Sequence, residues 1–355
     1  MNYTELYYKD LTEVQSHIPG LSRLKSSKIF ITGATGLIGS CIVDFLLNLN
    51  DTTHADNVIY IGALNLDDAQ GRFGDFLNRK DLIYIEYNAL KEITFDIAFD
   101  YIIHAASLAS PELYVTKPVE TMLCNLMGLQ KLLQYCCEIP VKGFLYISSS
   151  EVYGKKEGNE PYKIGEYGYL DILGSRASYP SAKRAAETLC KSYASEYAVK
   201  AYIVRPGHIY GPTATPGDKR ASSQFFRDVI AGKDIVMKSA GSQLRSYCYV
   251  VDCVSAILTV LLNGEICYPY NIANINSNIT IRELAEIIAK CSGRQVVFEN
   301  PSDSEKTAFN MMDNSCLNAS ELYALQWVDC FDDKTGVKHT FDILFGIGQI
   351  NTPGQ

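Results

Sequence analysis

The chain has 355 residues, a net charge of −8 and 47% hydrophobic side chains, so a large folded core is affordable and global disorder is excluded. The acidic balance argues against a general nucleic-acid binder. No apolar run reaches membrane-spanning length. Residues 1–26 read as a helical extension, because Leu6, Leu11, Val14 and Ile18 fall at helical spacing. A short apolar run at 29–31 then reads as a buried strand. The chain turns at Gly33, Gly36 and Gly39 and enters an apolar helix at 42–49. Gly33 suits a tight turn, Gly36 lets backbone approach a pyrophosphate, and Gly39 lets helix and strand pack closely. The amides and positive end of that helix would hold the phosphates. The spacing is G-x-x-G-x-x-G; the strand before it and the helix after it give it weight.

A second strand, 58–61, ends at Gly62-Ala-Leu-Asn65, with Asp67 and Asp68 just beyond. Dinucleotide folds often carry an acid at this tip to bind ribose hydroxyls. Here Asn65 stands near it and no arginine does, so a 2′-phosphate has no obvious partner and NAD is favoured over NADP. A third strand covers 82–85, followed by Asn88 where an adenine contact could sit. A fourth, 101–103, ends in His104-Ala-Ala-Ser107, small residues that would admit a nicotinamide ribose. Residues 121–138 read as a long helix, 143–147 as a strand, and 155–175 as a polar, Gly- and Tyr-rich loop over a site. A helix at 179–197 and a strand at 201–204 follow, then Arg205-Pro-Gly-His-Ile-Tyr-Gly-Pro212. Strands alternating with helices predict an α/β fold with a doubly wound parallel sheet. From 213 the elements shorten, with helices at 222–231, 253–262 and 281–291, and the Gly/Pro-containing end of the tail after Lys334 reads as weakly structured.

The 11 cysteines are scattered without a C-x-x-C pair, which points to reduced thiols and a cytoplasmic location; Met1-Asn-Tyr-Thr-Glu lacks the pattern of a signal sequence. The five histidines show no zinc-like grouping, so no metal is expected.

Tyr179 and Lys183 lie at i and i+4 on one helix face. A free tyrosine, with a pKa of about 10, is a poor base near neutrality, and a nearby ammonium lowers that value. Lys183 could also hold a cofactor ribose, and Ser149 at a strand end could bond the same substrate hydroxyl. Together these groups would remove a proton while hydride leaves for NAD⁺.

With Gly33, Gly36 and Gly39 upstream, Ser149, Tyr179 and Lys183 make the chain resemble the extended short-chain dehydrogenases/reductases, in their nucleotide-sugar epimerase/dehydratase/decarboxylase group. The resemblance covers roughly residues 27–330. It implies a Rossmann-type NAD-binding domain at 27–212, with returning elements from 245–275, and a smaller C-terminal α/β substrate lobe at 213–345. It implies cofactor contacts at Gly33, Thr35, Gly36, Leu37, Ile38, Gly39, Asn65, Asn88, Ala89, Ala105, Ala106, Ser107, Tyr179, Lys183, Arg205, Pro206 and His208. Relatives commonly dimerise through a four-helix bundle, here the helices at 121–138 and 179–197, with Leu123, Met127 and Leu133 as excess apolar surface.

Within the group, Ser149-Ser150-Glu151-Val-Tyr-Gly resembles the Thr-Ser-Glu-Val-Tyr-Gly of UDP-glucuronate decarboxylases. The 4,6-dehydratases carry Asp-Glu where Ser150 and Glu151 stand, and serine is too weak an acid to expel a hydroxyl. The segments around Ser110, Tyr114 and Arg176 also resemble the decarboxylase pattern. Arg245 could bind a carboxylate or diphosphate bidentately. The implied reaction is decarboxylation of a nucleotide-linked uronic acid through a 4-keto sugar, with Glu151 managing reprotonation. A 4-epimerase or 4,6-dehydratase is the alternative, and a catalytically silent dinucleotide sensor a more distant one. Two departures stand out. Gln224 replaces a common asparagine, and Asn310-Met-Met-Asp313 lacks the arginine that relatives place shortly before the aspartate.

Overall fold

The computed structural model describes residues 3–300 and 312–350. The N-terminal part runs α1 (Glu5–Glu13), β1 (Lys28–Thr32), α2 (Leu37–Thr53), β2 (Val58–Ala63), α3 (Leu66–Phe73), β3 (Leu82–Glu86) and β4 (Tyr101–His104). The middle runs α4 (Pro111–Thr116), α5 (Pro118–Glu138), β5 (Gly143–Ile147), α6 (Ser178–Tyr197), β6 (Ala201–Pro206) and β7 (His208–Tyr210). Then come α7 (Ala221–Ile230), β8 (Ile235–Met237), β9 (Leu244–Tyr249), α8 (Val250–Asn263), β10 (Pro269–Ile272), β11 (Asn278–Thr280), α9 (Ile281–Ser292) and β12 (Val296–Phe298). The last described elements are β13 (Asn314–Ser315), α10 (Ser320–Ala324) and α11 (Asp333–Ile350).

Seven strands form one sheet in the order β10-β6-β5-β4-β1-β2-β3, and every pairing in it is parallel. Alternation along β1 sends Ile29 and Ile31 to one face, under α2 and α8, and Phe30 to the other, with Leu129 and Leu132 of α5. Both faces are therefore covered, as a parallel sheet requires. Strand order reverses between β1 and β4, so a crevice opens there beyond the strand ends, the usual ligand position in such sheets.

Around β9 a smaller sheet forms, with β11 antiparallel and β13 and β7 parallel to it; β8 and β12 make a separate pair. Of the segment expected to return to the main sheet, β10 does so, while β9 belongs to the smaller sheet. Thr280 and Glu283 close a capping box at the start of α9.

The extension folds onto the sheet domain. Tyr7 and Leu11 of α1 are fully buried, and the Tyr7 hydroxyl donates to Asp44 of α2 at 2.9 Å. Leu6 is only partly buried, because tyrosines at 3 and 7 take the inner face. Residues 155–175 form turns stitched by the bridge Lys155–Tyr169. The tail forms α11, whose Val337 and Ile343 are buried; the Pro/Gly-containing end at 351–355 lies outside the described residues. Leu133 is fully buried in the core beneath α5. It therefore cannot belong to an excess apolar surface, whereas Leu123 and Met127 are exposed.

Candidate functional site

At the end of β1, Gly33 has φ of +65°, and a Cβ there would lie 2.7 Å from the Ala106 nitrogen and 2.8 Å from the Ala105 carbonyl. Only glycine lets this turn press against the end of β4. A Cβ on Gly39 would sit 2.2 Å from the Gly33 oxygen. Around Gly36 the nearest protein atom to such a Cβ is 3.4 Å away. Gly36 is also the N-cap of α2 and supplies no side-chain cap, so the first-turn amides beside Thr35, Leu37 and Ile38 are left to a ligand. The Leu37 side chain is buried, and its carbonyl accepts the Thr213 hydroxyl at 2.8 Å. A crowded turn with one open approach and bare helix amides fits a dinucleotide pyrophosphate.

Further along the crevice, Ala105 donates to the Thr32 carbonyl at 3.2 Å and Ala106 to the Thr32 hydroxyl at 3.3 Å. Ser107 donates to Asn125 of α5 at 2.9 Å. Asn65 caps α3, accepting the Asp68 amide at 2.8 Å and donating to its carboxylate at 3.0 Å. Asn88 accepts the Leu90 amide at 2.9 Å. Ala89 backs onto α5, where a Cβ on Gly128 would come within 2.6 Å of it. The arginine of α3, Arg72, is buried against Asp44 at 2.6 Å.

On the other side of the reversal, β5 ends in a single 3₁₀ turn, Ser150–Tyr153, which the Ser149 hydroxyl caps by accepting the Glu151 amide at 3.2 Å. The next helix, α6, points Tyr179, Lys183 and Glu187 inward at i, i+4 and i+8. Lys183 donates to the Ile147 carbonyl at 2.8 Å, and its ammonium lies 5.6 Å from the Tyr179 ring. Tyr114 of α4 stacks on Tyr179 with centroids 4.3 Å apart and planes 7° from parallel. Arg176 lies 5.6 Å over the Tyr114 ring and 3.3 Å from the Glu151 carboxylate. Ser149, Glu151, Tyr179, Lys183, Tyr114 and Arg176 thus gather in one place, with the buried Ser150 behind them.

The electrostatics differ from the sequence expectation. Burial pushes Tyr179 up to about 12; the negative Glu151 adds to this, while hydrogen bonds from Ser149 and Tyr114 oppose it. Lys183 is itself drawn down to about 7 by burial, against the pull of Cys124 and Glu187. A buried ammonium whose own charge is disfavoured does not by itself make Tyr179 a good base. The Glu151 carboxyl is raised by burial and drawn back by Arg176 and Arg245.

Arg205 is engaged more deeply inside the protein. Its side chain is fully buried. It donates to Glu187 at 2.9 and 2.6 Å, to Tyr153 at 2.9 Å and to Tyr167 at 2.6 Å. The guanidinium's hydrogen bonds are taken up inside the protein. The adjoining Pro206 is buried in β6. His208 bonds Ser315 at 3.0 Å and is pulled down to about 3 by burial, with Arg245 and Arg220 adding to the effect. Arg245 is buried and donates to the carbonyls of Leu244 and Met312 at 2.8 and 2.9 Å. Ser110 caps α4 through its carbonyl, which accepts the Leu113 amide at 2.9 Å. Gln224 is exposed on α7, engaged with Asp228 at 2.8 Å and Arg227 at 3.0 Å. Asn310 and Met311, where the expected arginine is missing, lie outside the described residues.

Sequence reading missed Glu187, whose carboxylate also accepts the Ser148 hydroxyl at 2.5 Å. The signal was available, since Glu187 extends the row of Tyr179 and Lys183 by one turn. It also missed Arg220, held by Asp218 at 2.5 Å, whose charge acts on Tyr114, Tyr179 and His208. No local spacing points to it.

Comparison with known proteins agrees with this geometry. UDP-glucuronic acid decarboxylase 6 of Arabidopsis thaliana is 32% identical over 279 residues, covering 76% of this chain and 78% of that protein. UDP-glucuronic acid decarboxylase 1 of Danio rerio is 29% identical over 269 residues, covering 76% of this chain but only 61% of the fish protein. The solved UDP-glucuronic acid 4-epimerase of Bacillus cereus shares the fold with a TM-score of 0.74 at 20% identity, over 90% of this chain and 99% of that one. Residues 29–275 match the model of the NAD dependent epimerase/dehydratase family. The chain belongs to that family, the extended branch of the short-chain dehydrogenases/reductases.

Proposed function

We propose that the chain is an NAD-dependent nucleotide-sugar enzyme that works through a transient 4-keto sugar, with UDP-glucuronate decarboxylation as its reaction. The observation that carries this reading is Glu151. It sits against Arg176 at 3.3 Å and feels the charge of Arg245, on the same cluster as Tyr179. Two guanidiniums suit a carboxylate or diphosphate, and a carboxyl raised by burial suits the return of a proton to carbon. Ser150 occupies the place where a dehydratase needs an acid, which disfavours loss of water. NAD rather than NADP is supported by a β2 tip at Gly62-Ala-Leu-Asn65 that carries no arginine, while Arg72 in the last turn of α3 is committed to Asp44.

In this mechanism Tyr179 takes the proton of the sugar 4-hydroxyl, assisted by the Ser149 hydroxyl. NAD⁺, if held at the glycine turn, would supply the acceptor and donor of the C4 hydride, and its positive charge would favour the Tyr179 phenolate. Lys183 adds a second positive centre and would hold the nicotinamide ribose. Once C4 is a ketone, the C5 carboxylate is a β-keto acid and loses CO₂. Glu151 then directs a proton to C5. The acid–base help is worth about 10²–10⁴ in rate.

The enzyme would act as a homodimer through α5 and α6, where Val119, Leu123, Met127 and Tyr197 are exposed. No helix among the described residues is long and apolar enough to cross a membrane. All 11 cysteines are unpaired thiols, which supports a reducing, cytoplasmic setting.

The test is mass spectrometry of products from a panel of UDP-, GDP-, CDP- and dTDP-sugars. Loss of CO₂ from UDP-glucuronate is expected. Unchanged mass with altered chromatography would replace decarboxylation by epimerisation, and loss of water would revive dehydration.

A further inference from the structure

From the stacking around the base we infer that Tyr114 is a positioning residue: in contact with both Arg176 and Tyr179, it fixes the plane of the Tyr179 ring and offers the Tyr179 oxygen a hydrogen bond. The inference rests on the reading of Tyr179 as the base, and it goes beyond the simple substrate contact that the sequence suggested for Tyr114.

Three contacts link four groups. The Arg176 guanidinium is 5.6 Å from the Tyr114 ring, Tyr114 is 4.3 Å from Tyr179, and the Lys183 ammonium is 5.6 Å from the Tyr179 ring. Two nearly parallel rings, each with a cation over it, make a rigid stack, since each contact is favourable and each ring has only two rotatable bonds. The stack is anchored at its backbone. The Tyr114 carbonyl accepts the Ser178 hydroxyl at 3.1 Å, and the Tyr114 amide donates to Ser110 at 3.2 Å. Tyr114 is 3% exposed, so its ring is committed to this contact rather than to solvent.

The hydroxyl has its own task. A base buried this deeply resists losing its proton, and the hydroxyls of Ser149 and Tyr114 are the hydrogen-bonding groups that ease the loss. Because Arg176 touches both the Tyr114 ring and Glu151, the stack also ties the group that removes a proton to the carboxyl proposed to return one.

The test compares wild type with Tyr114→Phe, Tyr114→Leu and Tyr179→Phe, using the sugar nucleotide that the product panel identifies. Tyr114→Phe keeps the stack and loses the hydroxyl. The acidic limb of its kcat/KM profile should move up by about one pH unit, with KM within about twofold of wild type. Tyr114→Leu loses the stack, and kcat should fall about 10- to 100-fold with a smaller change in KM. If Tyr114→Leu fails to fold, Tyr114→Phe carries the test alone. A parallel readout needs no sugar. With NAD⁺ present, the tyrosinate difference spectrum between each protein and its Tyr179→Phe counterpart should titrate at higher pH in Tyr114→Phe. An unmoved limb and titration, with loss confined to KM, would make Tyr114 a substrate contact and overturn the inference while the base reading stood. Full turnover by Tyr179→Phe would remove the base reading and this inference together.

Discussion

At one end of the crevice, Gly33, Gly36 and Gly39 leave backbone amides bare and almost no side chain takes part. At the other, Ser149, Glu151, Tyr179 and Lys183 are held by rings and charges from α4, from the loop before α6, and from Glu187 and Arg205 deeper inside. The first region is a shape made by absent Cβ atoms. The second is a balance of buried polar groups, each of which costs free energy unless its partner is present. Failure should therefore look different at the two ends. A wrong atom in the cradle disturbs a turn, whereas a missing partner at the proton-handling end leaves a charge stranded.

The largest effect tests the second region. Glu187→Gln removes the only negative charge within hydrogen-bonding distance of Arg205 among the described residues, leaving a fully buried guanidinium with neutral partners alone. Breaking such a pair costs about 3–5 kcal/mol. It also weakens the bond from Ser148, beside Ser149, because a neutral amide oxygen replaces a carboxylate. Urea unfolding should show the loss directly. A variant as stable as wild type would mean that the two ends are not built differently after all.

A smaller effect tests the cradle. Gly39→Ala forces a methyl into the Gly33 carbonyl at 2.2 Å, and overpacking of this kind costs about 1–3 kcal/mol. NAD affinity, measured by calorimetry, should fall at least about tenfold as the turn shifts. Gly71→Ala is the control, because a Cβ there meets nothing within 4 Å in the middle of α3. It should gain about 0.5–1 kcal/mol and leave cofactor affinity unchanged. Equal behaviour of the two variants would show that the glycine spacing has no steric meaning here.

The same contrast explains what could be read from the chain. The cradle, the sheet and α6 depend on local periods of two, three or four residues, so Gly33, Gly36, Gly39, Tyr179 and Lys183 are visible to anyone counting. Arg205 stands in a motif beside a strand end, yet its partners Glu187, Tyr153 and Tyr167 lie 18, 52 and 38 residues away. No spacing rule reports that a guanidinium is already satisfied. The stack of Tyr114 on Tyr179 joins α4, absent from the sequence reading, to α6. Leu133 sits in a helix with apolar residues on more than one face, and only the packed sheet decides which face is inner.

The gentlest test of the comparison is pH. Lys183 titrates at about 7 in the folded chain, against an ordinary 10.5, because burial disfavours its charge. Its folded value is depressed, so between about pH 7 and pH 10 the unfolded chain binds more protons than the folded one. Stability then rises with pH across that window, by at most about 1.4 kcal/mol per unit from this group. Below pH 7 both states are protonated and the contribution is flat at its least favourable level. Lys183→Met removes the titration, so the slope of unfolding free energy against pH should be lower in the variant by about 1 kcal/mol per unit. Gly39→Ala, which touches no titrating group, should shift the whole curve down and leave its slope alone. Parallel curves for Lys183→Met and wild type would mean that the ammonium is well solvated. The proton-handling end would then be as undemanding as the cradle, and the distinction between the two would fail at its most sensitive point.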